Sequence, residues 1–262
     1  MQIDIETYKR HAGRVSLDEI DFDAFRSRPL GENTLRCLRY MHDIEHHTVC
    51  YLRDLLVTSA HQDHEMTTFL ALWTFEEFWH GEAIASVLAA HGEPAGAERI
   101  TPLRRSIRVK GRLSPLLHGL GSLVAGASYT AVHMTWGAVN EWTTQAGYAR
   151  LAQRADHPVL SELLKRVMRQ EGRHIDFYAS QALRRLEGDK RAQRLTRLAL
   201  SRFWTPVGSD IMPRSEVQHL VQHLFSGPEG SAACARIDGR IDRLPGLAGL
   251  ALLRGAAERY AA

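Results

Sequence analysis

Two tetrapeptides, Glu77-Phe-Trp-His80 and Glu171-Gly-Arg-His174, constrain this chain more than any other feature. On a helix, residues at i and i+3 leave the same face. Around the first pair that face carries Met66, Phe69, Leu70, Trp73, Ile84, Val87 and Leu88. Around the second it carries Leu160, Leu163, Leu164, Val167, Met168, Ile175 and Tyr178. Each pair therefore sends a carboxylate and an imidazole into an apolar interior, where an unpaired charge costs several kcal/mol. Two such pairs predict a shared polar centre. If that centre holds metal through carboxylates, two other helices should each add one inward Glu.

Periodicity supplies both. The first long helix is predicted from about Glu32 to Ala60, with an apolar stripe of Leu38, Met41, Val49, Leu52 and Leu56. Glu45 lies on that stripe with His42 and Thr48, whereas Asp43 falls on the opposite face with Arg36, Arg39, His47 and Asp54. A helix from roughly Ala127 to Arg154 presents Thr130, Met134, Gly137, Ala138, Glu141, Thr144, Gln145 and Tyr148 inward. Gly137 and Ala138, one turn before Glu141, are expected to leave room for something other than side chains. The Glu77 helix is capped by Asp63 and runs to about Ala90, stopping at His91-Gly-Glu-Pro94. The Glu171 helix takes its cap and early proline from Asp156-His-Pro158 and extends to about Leu186.

Between these helices, residues 92–126 carry Pro94, Pro102 and Pro115 and read as a long crossover with room for one or two short helices. Residues 1–30 read as a partly ordered arm. Beyond Gly188-Asp189, helices are expected at about Lys190–Trp204, Arg214–Phe225 and Leu247–Arg259, with a loop at Ser226–Ser231. The expected fold is all-α: a ferritin-like four-helix bundle with additional C-terminal helices, in one domain over 1–262. The bundle core occupies about 32–188 and the helical extension about 189–262.

Composition narrows the function. The 33 basic and 30 acidic residues nearly balance, at a formal +3, which does not suggest a nucleic-acid binder. Cys37, Cys50 and Cys234 show no close pairing, so neither a disulfide framework nor a thiolate metal site is indicated, and a reduced, cytoplasmic setting is expected. The first residues lack a signal-peptide layout, and the most apolar stretch, Leu113 to Ala127, is too short to span a bilayer. A soluble protein with no membrane partner is expected. His46, His47, His61, His64, His91, His219 and His223 read as surface residues; His133 stays open between a channel residue and an ordinary helix histidine. The inward donors are Glu45, Glu77, His80, Glu141, Glu171 and His174. That oxygen-rich set with some nitrogen suits two Fe ions, or Mn, better than soft-ligand metals.

The stretch Trp73-Thr-x-Glu-Glu-x-x-His-Gly-Glu82 resembles the second-helix motif of the soluble acyl-acyl-carrier-protein desaturases. Glu141-x-x-Thr144, Asp156-x-Pro-Val-Leu and Glu171-x-x-His174-x-x-Phe-Tyr178 are similar to that family's third and fourth helices, in order. The resemblance covers roughly residues 35–185. It implies a ferritin-like homodimer with two irons per chain, which uses dioxygen and electrons from a ferredoxin to desaturate an acyl chain carried on acyl carrier protein. It implies the same six ligands and places Thr144 beside the oxygen-binding side. One departure is Gln170, where the family has an acidic residue orienting a ligand histidine; this touches the route of electron delivery. The basic run Arg99, Arg104, Arg105, Arg108, Lys110 and Arg112 would then steer an acidic carrier. The function expected is an O2-dependent di-iron oxidoreductase of the acyl desaturase type. The alternatives are a di-iron hydroxylase or N-oxygenase on another substrate, and a ferritin-like ferroxidase, against which the extension 189–262 counts.

Overall fold

The computed structural model of the protein describes residues 5–261, and no β-strand occurs among them: the described chain is all-α. In order, the helices are α1 (Ile5–His11), α2 (Ala24–Ser27), α3 (Glu32–Glu45), α4 (Thr48–Leu56), α5 (His64–Ala90), α6 (Ala97–Ser106) and α7 (Arg108–Ala125). They continue with α8 (Ala127–Ala155), α9 (Pro158–Leu186), α10 (Lys190–Phe203), α11 (Arg214–Phe225), α12 (Gly227–Ile241) and α13 (Leu252–Ala261). A short 3-10 turn, Ser59–Gln62, precedes α5. No helix of the described residues is long and apolar enough to cross a membrane. Two compact units make up this chain: residues 5–120 with 151–170, and residues 121–150 with 171–261.

In the first unit α5 is the central element, and α1, α3 and α4 pack on it. Its apolar stripe is fully buried at Met66, Phe69, Leu70, Ile84, Val87 and Leu88. Its start is fixed as the sequence implies: the Asp63 carboxylate accepts from the Met66 amide at 3.1 Å. The helix expected over Glu32–Ala60 is instead two, α3 and α4, broken at His46-His47. There the His47 amide bonds Ile44 O at 2.9 Å, one residue short of the α register, and the Thr48 hydroxyl takes Glu45 O at 2.7 Å. A local side-chain bond replaces the ladder, so Glu45 becomes the last residue of its helix.

The partly ordered arm expected over residues 1–30 is docked on α5 and α9 from residue 5 onward, and residues 1–4 lie outside the described residues. The Tyr8 hydroxyl donates to buried Glu76 at 2.6 Å, the Gly13 amide donates to Glu76 at 3.1 Å, and Arg14 stacks 4.2 Å over the Trp79 ring. Arg166 of α9 donates to Ser16 O and Asp18 O. The cap of α9 falls to His157, whose ring nitrogen accepts from the Leu160 amide at 3.4 Å. Asp156 holds the preceding left-handed turn at φ 47°. The crossover is more helical than its three prolines suggest, with Pro102 inside α6 and Pro115 inside α7, each at the loss of one backbone hydrogen bond.

In the second unit, α11, α12 and α13 pack against one another. The buried Asp238 carboxylate accepts from the Leu253 and Arg254 amides at 2.9 and 3.2 Å, which fixes the start of α13. That helix begins at Leu252, five residues later than expected. The segment Ser226–Ser231, expected as a loop, is the first turn of α12: Ser226 is the cap and Pro228 fills an early position. The Trp204 indole donates to Asn140 Oδ1 at 3.1 Å, tying the end of α10 to the residue before Glu141. The turn from α11 into α12 depends on Gly230, where a Cβ would sit 2.2 Å from the Phe225 carbonyl carbon. Because backbone cannot yield as a side-chain tip does, Gly230→Ala is expected to destabilise the protein by roughly 1–3 kcal/mol, measured by chemical denaturation.

Candidate metal centre

The donors come from four helices, and all six are buried. Glu45 ends α3; Glu77 and His80 lie mid-α5; Glu141 is on α8; Glu171 and His174 are on α9. All four glutamates are 5 % exposed or less, and both histidines are fully buried. His80 Nδ1 lies 3.4 Å from Glu77 Oε2, and His174 Nδ1 lies 3.3 Å from Glu171 Oε2 and 3.8 Å from Glu141 Oε2. The structure brings all six together in two overlapping groups. Glu45, Glu77, His80 and Glu171 form one; Glu77, Glu141, Glu171 and His174 form the other. Within each, the ligand atoms lie within 4.8 Å of one another.

Such crowding needs a counter-charge. At an effective dielectric of about 20, two ionised carboxylates about 4 Å apart repel by on the order of 4 kcal/mol, and several such pairs coexist here. A divalent cation removes that repulsion, and the carboxylate–imidazole donor set fits a hard or borderline ion. These buried Glu and His groups can hold a metal ion.

The surroundings fix the ligands' geometry. The Gln170 amide donates through Nε2 to Gly13 O at 3.0 Å, which leaves its Oε1 facing His80 Nε2 at 2.9 Å. An oxygen there accepts the Nε2 proton, so the lone pair of His80 sits on Nδ1, the atom beside Glu77. The neutral Gln170 therefore does orient His80, and its other end is anchored on the N-terminal segment. Behind Glu45, the Gly96 amide donates to His42 Nε2 at 2.9 Å, and His42 Nδ1 meets Asp43 at 2.9 Å. Arg99 clamps Asp43 with bonds of 2.9 and 2.6 Å. Burial would raise the Asp43 carboxyl, but the bonds from His42 and Arg99 and the Arg99 charge outweigh it and hold it below the usual carboxylate range. Asp43 is buried yet committed to this clamp, which leaves Glu45 to the centre.

Several residues differ from the sequence reading. His46 is buried: its ring lies on Gly81, where a Cβ would come 2.7 Å from it, and 4.6 Å from the His42 ring. Burial first, then the His42 and Arg104 charges, push its pKa down to about 4. The glycine of the Trp73–Glu82 stretch is thus required by a neighbouring imidazole. His47, His219 and His223 are half-buried, while His61 and His64 are exposed as expected. His91 is half-buried, accepting from the Leu30 amide at 3.0 Å, with its Nδ1 2.8 Å from Val87 O. His133 is buried, with its ring 4.5 Å from that of Tyr129. Gly137 leaves no empty space, because the Tyr178 ring fills it; a Cβ there would be 2.3 Å away. Thr144 is half-buried on α8, and the hydroxyl of its neighbour Thr143 donates one turn back to Val139 O at 2.7 Å. Two of the six cations in the basic run are engaged internally: Arg99 on Asp43, and Arg104 on His46 O at 2.6 Å.

A scan against protein-family models and a search of curated proteins return no match to this chain.

The Gln170 contact yields a direct test. Gln170→Leu removes the acceptor for His80 Nε2 and the donor to Gly13 O. It is expected to weaken divalent-metal binding about 10- to 100-fold in a metal titration, with helicity by circular dichroism unchanged.

Proposed function

We propose that the protein is an O2-dependent di-iron oxidoreductase resembling the acyl desaturases. The observation that carries this reading is the overlap of the two ligand groups: they share Glu77 and Glu171 and differ in Glu45/His80 against Glu141/His174. One ion needs only one group; two groups with two common carboxylates suit a pair of ions. Glu45, Glu77, His80 and Glu171 would hold one ion and Glu77, Glu141, Glu171 and His174 the other. A bound iron pair supplies the chemistry of O2 reduction and of hydrogen abstraction from an unactivated C–H bond. Manganese fits the same donors.

The chain's own residues supply the rest. Gln170 keeps the His80 proton on Nε2, so that Nδ1 remains a ligand atom. The four glutamates and two histidines are themselves buried, which keeps bulk water from the donors. Thr144, one turn from Glu141, offers a hydroxyl on the side where the resemblance implies oxygen binds, and we assign it the catalytic role. Forming a double bond releases two electrons while reducing O2 to water takes four, so two come from outside. The chain has three cysteines, fewer than the four that a Cys-ligated iron–sulfur cluster takes. A separate ferredoxin-like donor in a reducing, cytoplasmic setting is part of the proposal. So are the homodimer and the acyl carrier protein-bound acyl substrate that the resemblance implies.

Protein from iron-replete cells is expected to hold about two Fe per chain, and Glu77→Ala or Glu171→Ala to lose most of it while remaining helical. Near-normal iron in both variants would overturn the centre. With reduced ferredoxin and acyl substrates, a double-bond product supports the desaturase reading. An oxygenated product would move it to the hydroxylases, and iron mineralisation alone to the ferroxidases. Thr144→Ala is expected to slow turnover at least about tenfold with iron content unchanged. Sustained turnover with O2 and substrate alone would remove the external donor.

A further inference from the structure

The helix α7 is built inside out. Leu113, Leu116, Leu117, Leu120, Leu123 and Val124 are 51–82 % exposed. At helical spacing they fall in one arc about 120° wide, on a stripe roughly 20 Å long. The opposite side is small or polar: Gly111, Ser114, His118 and Gly119 are half-buried and Ser122 is buried. That side faces protein. The Ser114 hydroxyl donates to Asp54, and Gly119 passes the Val57 carbonyl, which would lie 3.9 Å from a Cβ. Leu56 and Val57 of α4, beside this contact, are exposed as well. An ordinary surface helix has the reverse pattern, with its leucines inward.

Charge identifies the occupant of this face. On the helical wheel, Arg112 borders one edge of the stripe and Lys110 the other, with Arg108 about 40° beyond Arg112, and all three are exposed. Between residues 99 and 140 the sequence contains no Asp or Glu. A second copy of the same face would bring the same cations and no carboxylate to meet them. The stripe is exposed, with basic side chains on both flanks. A bilayer interface accepts that pattern directly: leucines enter the acyl boundary while Lys and Arg stems reach up to headgroup phosphates.

We propose that α7 lies in the interface of a membrane containing anionic lipid, and that the protein binds such membranes peripherally through this helix. No helix of the described residues is long and apolar enough to cross the bilayer; the expectation of no membrane partner follows from a spanning criterion, which an interfacial helix does not meet. The proposal stands independently of the metal reading, because the stripe and its cations share no residue with the six ligands.

The test is co-sedimentation of the full chain with vesicles of phosphatidylglycerol and phosphatidylcholine in equal parts, against phosphatidylcholine alone. Binding is expected to the anionic vesicles, to weaken at high salt, and to be far weaker on the neutral ones. The variant Leu116→Ser/Leu120→Ser/Leu123→Ser is expected to lose at least about tenfold in partitioning. Neutralising Arg108, Lys110 and Arg112 to Gln is expected to lose at least about tenfold, since each basic residue near an anionic surface strengthens binding about fivefold. These positions are exposed, so circular dichroism and iron content should match the parent. Parent protein that ignores anionic vesicles overturns the proposal, as does a serine variant that binds them equally well. Two replacements would then be read from the same variants. A dimer split by the serine substitutions makes a second copy the occupant, and lost binding to an acidic carrier protein makes that carrier the occupant.

Discussion

Mutual repulsion among buried carboxylates governs this structure. Glu45, Glu77, Glu141 and Glu171 are buried, and each gives up hydration that must be compensated inside the protein. A metal ion held by their ligand atoms could supply that compensation. The features around the centre then follow as ways of holding donors still. Gln170 sets a tautomer, Arg99 and His42 draw Asp43 away, and Thr48 ends α3 at the residue that carries the ligand. These contacts hold the donors around a space where a metal ion could bind.

Much of this was legible because it is periodic. The 3.6-residue repeat defines α5, α8 and α9 nearly to their ends, and the same repeat separates Glu45 from Asp43. What escaped is what periodicity does not encode. The docking of residues 5–18 runs through backbone atoms, Gly13 O, Ser16 O and Asp18 O, which have no side-chain signature. The break at His46-His47 depends on one threonine hydroxyl. The helix α12 was hidden because Ser-Gly-Pro-Glu-Gly has the composition of a loop, although proline suits a first helical turn and Gly230 answers a packing demand.

Two glycines near the ligands show how composition can mislead about space. Gly81 looks like a flexible point in the motif and Gly137 like the floor of a cavity, yet each receives an aromatic ring, His46 in one case and Tyr178 in the other. Close ring-to-backbone packing costs the helices some intrinsic propensity and returns interior density. It also buries an imidazole, that of His46, in its neutral form one residue from a ligand.

The N-terminal segment has a consequence of a different kind. Gly13 O, the Gln170 amide and the His80 ring form one unbranched chain of hydrogen bonds, from a thin peripheral strand of polypeptide to a donor atom of the centre. Peripheral segments open more often than cores do. Each opening of residues around Gly13 releases the far end of that amide and, with it, the lock on the imidazole. By linkage the relation runs both ways: an ion that favours the locked imidazole also favours the closed segment. Protection of the first turns against protease or hydrogen exchange thus becomes a remote gauge of what the centre holds, and the start of the chain, distant in sequence from every ligand, becomes part of the centre's thermodynamics.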